Sequence, residues 1–155
     1  YVTHDQSEAL AVSAQVIVMD RGIIAQRGTR QDLYERPQSE FVAGFMGEAM
    51  LFPATALAGG AVQVGSMQLT PRNAVPAGAI KVAVRPEAWQ IHRAGEGMAA
   101  KLVKSAYLGS FFEYTFDTEL GKIFVVSPDL TDVLPLGAEI KLRLASHGVS
   151  VVAAS

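Results

Sequence analysis

The apolar positions change rhythm near residue 47. Upstream, Val16-Ile17-Val18-Met19 is a continuous apolar run rich in β-branched residues, which predicts a buried strand. Asp20-Arg21-Gly22 supplies a turn, and Ile23-Ile24-Ala25-Gln26 returns as the second arm of a hairpin. Before this hairpin, Tyr1-Val2-Thr3 reads as the end of a strand. Asp5, three residues before Glu8, then offers an acidic capping-box spacing for a helix with Ala9, Leu10 and Val12 on one stripe. After Gly28, Thr29 stands three residues before Asp32 and predicts a helix over residues 31–35, which Pro37 stops. Ser39 can cap a further short helix, residues 40–46, with Phe41, Val42 and Phe45 as its buried face and Gly47 as its end.

Beyond residue 51 the helix signals nearly vanish. Short apolar or alternating runs take over, at residues 51–52, 61–64, 80–84, 89–91, 99–107, 111–116, 122–126, 140–144 and 149–152. Ile80, Val82 and Val84 alternate with Lys81 and Ala83; Ile140, Leu142 and Leu144 alternate with Lys141 and Arg143. Period two with one apolar side is the mark of a strand with one buried face. Eight or nine such strands, separated by Gly, Pro and Asn, predict a small antiparallel barrel, closed or partly closed.

Composition narrows the chemistry. The chain has 155 residues, 50% of them apolar, enough to build a core. Thirteen basic against fifteen acidic side chains give a net charge of −2, with no electrostatic bias toward nucleic acid or anionic lipid. The aromatic group Tyr107, Phe111, Phe112, Tyr114 and Phe116 does not alter this. Alternation puts Phe112, Tyr114 and Phe116 on one face, which is expected to be core, and there is no basic stripe to accompany a stacking platform. The absence of cysteine removes disulfides, thiolate metal sites and a cysteine nucleophile. His92 and His147 lack carboxylates at ligand spacing, so no metal site is expected. Asp117, Glu119, Asp129 and Asp132 fall around turns and read as solvated surface charges.

The segment Tyr1-Val2-Thr3-His4-Asp5-Gln6-Ser7-Glu8-Ala9-Leu10 resembles the switch-histidine loop of ABC-transporter ATPases. The resemblance continues through the hairpin with its Asp-x-Gly turn, through Gly28-Thr29 and Leu33-Tyr34-Glu35-Arg36-Pro37, and on to Phe41-Val42-Ala43-Gly44-Phe45-Met46-Gly47. The later half resembles the transport-associated OB-like domain, known as TOBE, of maltose, polyamine and ferric-iron importers. Val84-Arg85-Pro86-Glu87-Ala88 carries that domain's arginine-proline-glutamate signature and Tyr107-Leu108-Gly109 its later turn. The resemblance implies a mainly β protein: an OB-like antiparallel β-barrel over residues 48–155, preceded at 1–47 by the α/β tail of a nucleotide-binding domain.

The same resemblance sets the functional expectations. His4 matches the family's switch histidine, which approaches the γ-phosphate and helps hold the attacking water. An imidazole N–H at the end of a strand suits that role. A phosphate loop of the form G-x-x-x-x-G-K-[ST], a Walker-B run and the signature serine-glycine-glycine are missing from the sequence; the single Gly-Lys pair, Gly121-Lys122, is followed by Ile123. The chain is therefore expected to have no ATPase activity of its own, ATP and Mg²⁺ belonging to a longer parent. Arg85 and Glu87 are candidates for a ligand or interface contact. A structural turn in which Arg85 pairs with a carboxylate is the plainer alternative. By resemblance the partners are a second copy, with N-terminal elements docked on the barrel or exchanged between protomers, and membrane permease subunits. Nucleic acid is not among them. The expected location is the cytoplasm, peripheral on the inner face of a bacterial membrane. A second function remains open, a sensor barrel for an oxyanion or the transported solute, with Arg72, Arg85, Arg93 and Lys101 as donors.

Overall fold

A computed structural model describes residues 15–45, 49–72 and 74–153, with Ala153 described by its backbone only. The predicted strand end at residues 1–3, the helix after Asp5, His4 and the closing Gly47 lie outside the described residues.

The first unit opens with a hairpin, β1 (Val16–Asp20) and β2 (Ile23–Gly28), turned at Arg21 and Gly22, both with positive φ. Two one-and-a-half-turn helices follow, α1 (Arg30–Glu35) and α2 (Glu40–Phe45). The Thr29 cap forms as the spacing predicts. The Asp32 amide donates to the Thr29 hydroxyl at 3.1 Å while the Thr29 amide donates to the Asp32 carboxylate at 3.1 Å, satisfying two free donors of the helix start. The Thr29 hydroxyl, which lies 2.8 Å from the same carboxylate oxygen and donates to it, and then the Thr29 amide hold the Asp32 carboxyl below its ordinary pKa. Ser39 caps α2 through its hydroxyl, which accepts from the Val42 amide at 3.2 Å.

Two expectations change here. The run from Val16 to Met19 is not buried on both faces: Val16 and Val18 point inward, while Ile17 and Met19 are each 55% exposed. A two-stranded ribbon has helices on one face only, and Leu33 and Val42 fill that face. In α2 the inward positions are Val42 and Ala43. Phe41 turns outward and stacks on Phe45, their ring centres 5.9 Å apart.

The remainder is mainly β and OB-like, as expected, built from two five-stranded antiparallel sheets. Nine strands follow one another around a 3₁₀ turn: β3 (Met50–Ala56), β4 (Val62–Val64), β5 (Met67–Leu69), β6 (Gly78–Val84), the turn Pro86–Ala88, β7 (Trp89–His92), β8 (Met98–Tyr107), β9 (Phe112–Thr118), β10 (Gly121–Ser127) and β11 (Glu139–Leu144). The tenth, β12 (Val149–Ala153), ends the series. One sheet has the order β10-β9-β8-β11-β7 and the other β12-β6-β3-β4-β5. Their inner faces share one core. Phe52, Val62, Val82 and Val84 meet Leu102, Tyr114, Phe116, Ile123 and Leu142, each at most 4% exposed. Tyr114 and Phe116 thus belong to the core, as alternation predicts, with Phe112 packed against its edge. The short β5 escapes sequence reading, because three residues are too few to show a period. A bulge between Leu102 and Lys104 turns the Leu102 backbone toward the 137–138 turn, where it donates to the Ala138 carbonyl and accepts from the Gly137 amide.

Candidate functional site

The arginine-proline-glutamate turn lies where the two units meet. Val84 ends β6 inside the core, and Pro86 opens the 3₁₀ turn at its first position, where a missing N–H costs nothing. The turn is fastened to the β11–β12 loop. The Arg85 amide donates to the Gly148 carbonyl at 2.9 Å, and the Ala145 amide donates to the Ala88 carbonyl at 2.8 Å. Gly148 has φ +81, and a Cβ there would meet Ala88 Cβ at 3.0 Å and Arg85 Cβ at 3.4 Å, so the two backbones approach too closely for a larger residue.

This frame buries Arg85 to 4% exposure. Among the described residues its guanidinium forms no ion pair with a carboxylate, the plainer of the two alternatives; it lies over the Tyr34 ring, 4.3 Å from the ring centre. An aromatic face stabilises a cation through its quadrupole and suits one that has lost its water. Desolvation lowers the pKa of Arg85, partly opposed by Tyr34 and Glu87. Among the described residues one guanidinium nitrogen, Nη1, has no hydrogen-bond partner, and the Trp89 indole Nε1 has none either. Glu87, two residues on, points its carboxylate at the same tyrosine and accepts a hydrogen bond from the Tyr34 hydroxyl. Burial and then this bond push the phenol pKa up to about 12. His147 closes a third side, its ring centre 6.0 Å from that of Tyr34. Tyr34 is thereby held by Arg85, Glu87 and His147.

Glu35 extends the contact. Its carboxylate accepts from Arg72 Nη1 at 3.2 Å and lies 3.4 Å from His147 Nδ1, while its backbone carbonyl accepts from the Ser150 hydroxyl at 2.9 Å. Farther along, Lys81 Nζ lies 2.9 Å from a Glu40 carboxylate oxygen. Of these residues sequence reading singled out Arg85 and Glu87 as ligand or interface candidates and Arg72 as a donor for the sensor alternative. Tyr34 and Glu35 were legible as helix positions within the Leu33-Tyr34-Glu35-Arg36-Pro37 resemblance and Ser150 as a strand position, none of them as a site residue, and the His147 carboxylate neighbour comes from another part of the chain.

Arg72, Arg85, Arg93 and Lys101 do not converge. Arg72 is bound to Glu35 and to the Ser146 carbonyl at 2.7 Å. Arg93 pairs with Asp132, and with Lys101 it lines a separate shallow groove on β8 and β11. A larger groove of about 1180 Å³ runs beside the Tyr34–Glu35 contact, between Glu35–Gln38 on one wall and Met67, Leu69, Leu144 and Val149 on the other. Among the described residues no group of three His, Asp or Glu side chains could hold a metal ion, and no helix is long and apolar enough to cross a membrane.

Comparison with known proteins agrees with this architecture. Residues 82–152 match the TOBE domain family. Over 159 residues the chain is 41% identical to the Fe(3+) ions import ATP-binding protein FbpC of Brucella abortus (strain 2308), covering 98% of this chain and 45% of that protein. Its counterpart in Agrobacterium fabrum is 40% identical over 158 residues with the same coverage, and that of Vibrio cholerae 45% identical over 120 residues, 74% of this chain and 34% of that one. The chain thus spans less than half the length of the curated relatives it matches. Its matching stretch takes in both the hairpin-and-helix unit and the sheets, and the arginine-proline-glutamate turn falls inside the matched domain. The chain therefore carries a TOBE domain and is similar, over nearly its whole length, to a C-terminal stretch of ABC-transporter ATP-binding subunits.

Proposed function

We propose that this chain is the C-terminal regulatory and dimer-forming part of the ATP-binding subunit of a bacterial ABC importer, residues 1–47 being the tail of the nucleotide-binding domain and 48–155 the OB-like domain. The observation that carries the reading is the match across nearly the whole chain to the Fe(3+) ions import ATP-binding proteins FbpC. In the complete subunit, ATP and Mg²⁺ bind in the preceding domain, His4 faces the γ-phosphate, and hydrolysis is coupled to solute uptake through permease subunits. Ferric iron is the solute this reading assigns. The subunit then works in the cytoplasm, against the inner face of the membrane.

Exposed apolar side chains support a dimer role. Val103 and Tyr107 on β8 and Phe124 on β10 are 38%, 63% and 43% exposed, and Leu108, directly after β8, is 52% exposed. Light scattering at high micromolar concentration is expected to show a dimer; a strictly monomeric species would remove the dimer-forming part of the reading. A second reading, a solute or oxyanion sensor, draws on the 1180 Å³ groove. Calorimetry against molybdate, ferric citrate and spermidine separates the two, and no heat with any of them rules out the sensor.

A further inference from the structure

We propose that Tyr34 and Glu35 form a releasable latch that closes the hairpin-and-helix unit onto the two sheets. The two units keep separate apolar cores: Val16, Val18, Leu33 and Val42 in one, and the residues around Phe52, Leu102 and Phe116 in the other. What joins them at α1 is polar and aromatic. Tyr34 sits on Arg85 and donates to Glu87; Glu35 takes Arg72, His147 and the Ser150 hydroxyl. Such contacts, unlike a shared apolar core, exchange for water at low cost when they open.

Two further observations favour release. The groove of about 1180 Å³ runs along this same seam, so beyond the Glu35–Ser150 bond the wall formed by Arg36–Gln38 is not packed shut against β5. Arg85 Nη1 is buried without an acceptor among the described residues while the latch is closed. Opening admits water to that N–H, which lowers the cost of leaving the closed state. The arginine-proline-glutamate turn is thus the receiving side of a latch whose tongue is the tyrosine-glutamate pair of α1. For its consequence in a whole subunit, the passage of a signal between nucleotide-binding and TOBE parts, the inference rests on the proposed function. The latch itself is a property of this chain and needs no transporter to test.

Hydrogen–deuterium exchange of the 155-residue protein, followed by mass spectrometry, tests it. In a variant carrying Tyr34→Ala and Glu35→Gln, the amides of β2, α1 and the 86–88 turn are expected to exchange about tenfold faster, with β9 and β10 unchanged. The milder Tyr34→Phe, which keeps the ring on Arg85 and removes the hydroxyl from Glu87, is expected to give a smaller acceleration at the same sites. Unchanged exchange in both variants overturns the proposal, because the contacts then hold nothing. A matching loss of protection in β9 and β10 overturns it as well, because the two units then open as one. Neither outcome touches the oligomeric state, so failure of the latch and failure of the dimer reading are read separately.

Discussion

The guanidinium of Arg85 lies 4.3 Å from the centre of the Tyr34 ring, and the carboxylate of Glu87 accepts from the hydroxyl of that same ring. A turn in the TOBE domain therefore grips a helix that lies outside the 82–152 match. The grip is directional: the ring needs the cation and the hydroxyl needs the acid.

A double-mutant cycle follows directly. Tyr34→Phe and Glu87→Gln are each expected to lower stability by about 1 kcal/mol, the usual net worth of a hydrogen bond. Combined, they are expected to cost less than their sum by about 0.5 kcal/mol or more, since both remove one bond. Urea denaturation measures all three variants; strict additivity would show that the two groups do not act together.

Alkaline pH supplies an independent check. Burial first, and the bond to Glu87 second, raise the Tyr34 pKa from 10.0 to about 12. A folded value above the unfolded one means that the stabilisation is complete below pH 10 and is lost as pH climbs from there toward 12. The urea midpoint of the wild type should fall across that window more steeply than that of Tyr34→Phe. Parallel profiles would place the phenol in an ordinary aqueous setting.

Arg85 separates charge from bulk. Arg85→Ala removes the cation over the ring and leaves a hole beside Gly148 and Ala88, with an expected loss of about 2–3 kcal/mol. Arg85→Met fills most of that space, restores no charge and removes a buried N–H without a partner, so its cost is expected to stay below about 1 kcal/mol. Thermal unfolding of the two variants decides; equal losses would mean that the charge, not the packing, carries the contact.

Gly148→Ala tests the fastening of the turn. The added Cβ meets Ala88 Cβ at 3.0 Å on a backbone with φ +81, and a loss of roughly 1–3 kcal/mol is expected from strain and crowding. Because the loop carries the carbonyl that holds the Arg85 amide, exchange of that amide should accelerate with it. A protein as stable as the wild type would show that the loop can move aside freely.

Local chemistry made much of this fold legible. The Thr29–Asp32 cap, the hairpin turned at Arg21-Gly22 and the alternation in β11 are settled by residues within a few positions of one another, whereas in β6 and β9 the residues between the core positions, Ala83 and Thr115, are buried as well. Where the reading missed, the missing information was a distant neighbour. Ile17 and Met19 look as apolar as Val16 and Val18, and only the helices covering one face of the hairpin separate them. Phe41 looks like a better core residue than Ala43, yet the direction of α2 turns it outward.

The candidate site divides in the same way. By itself the sequence determined a mainly β chain with an α/β lead-in and its family resemblance, and it marked Arg85 and Glu87 as candidates, because periodicity and motif are carried by neighbouring residues. It could not determine what those two residues hold. Arg85 read either as a ligand or interface contact or as a turn residue paired with a carboxylate, since charge alone suggests such partners. Only the tertiary structure decided, by burying the guanidinium to 4% exposure and bringing Tyr34 from another unit over it. Once water is excluded, an aromatic face and a carboxylate sharing one tyrosine become the available partners, and contacts of that kind arise from folding rather than from spacing along the chain.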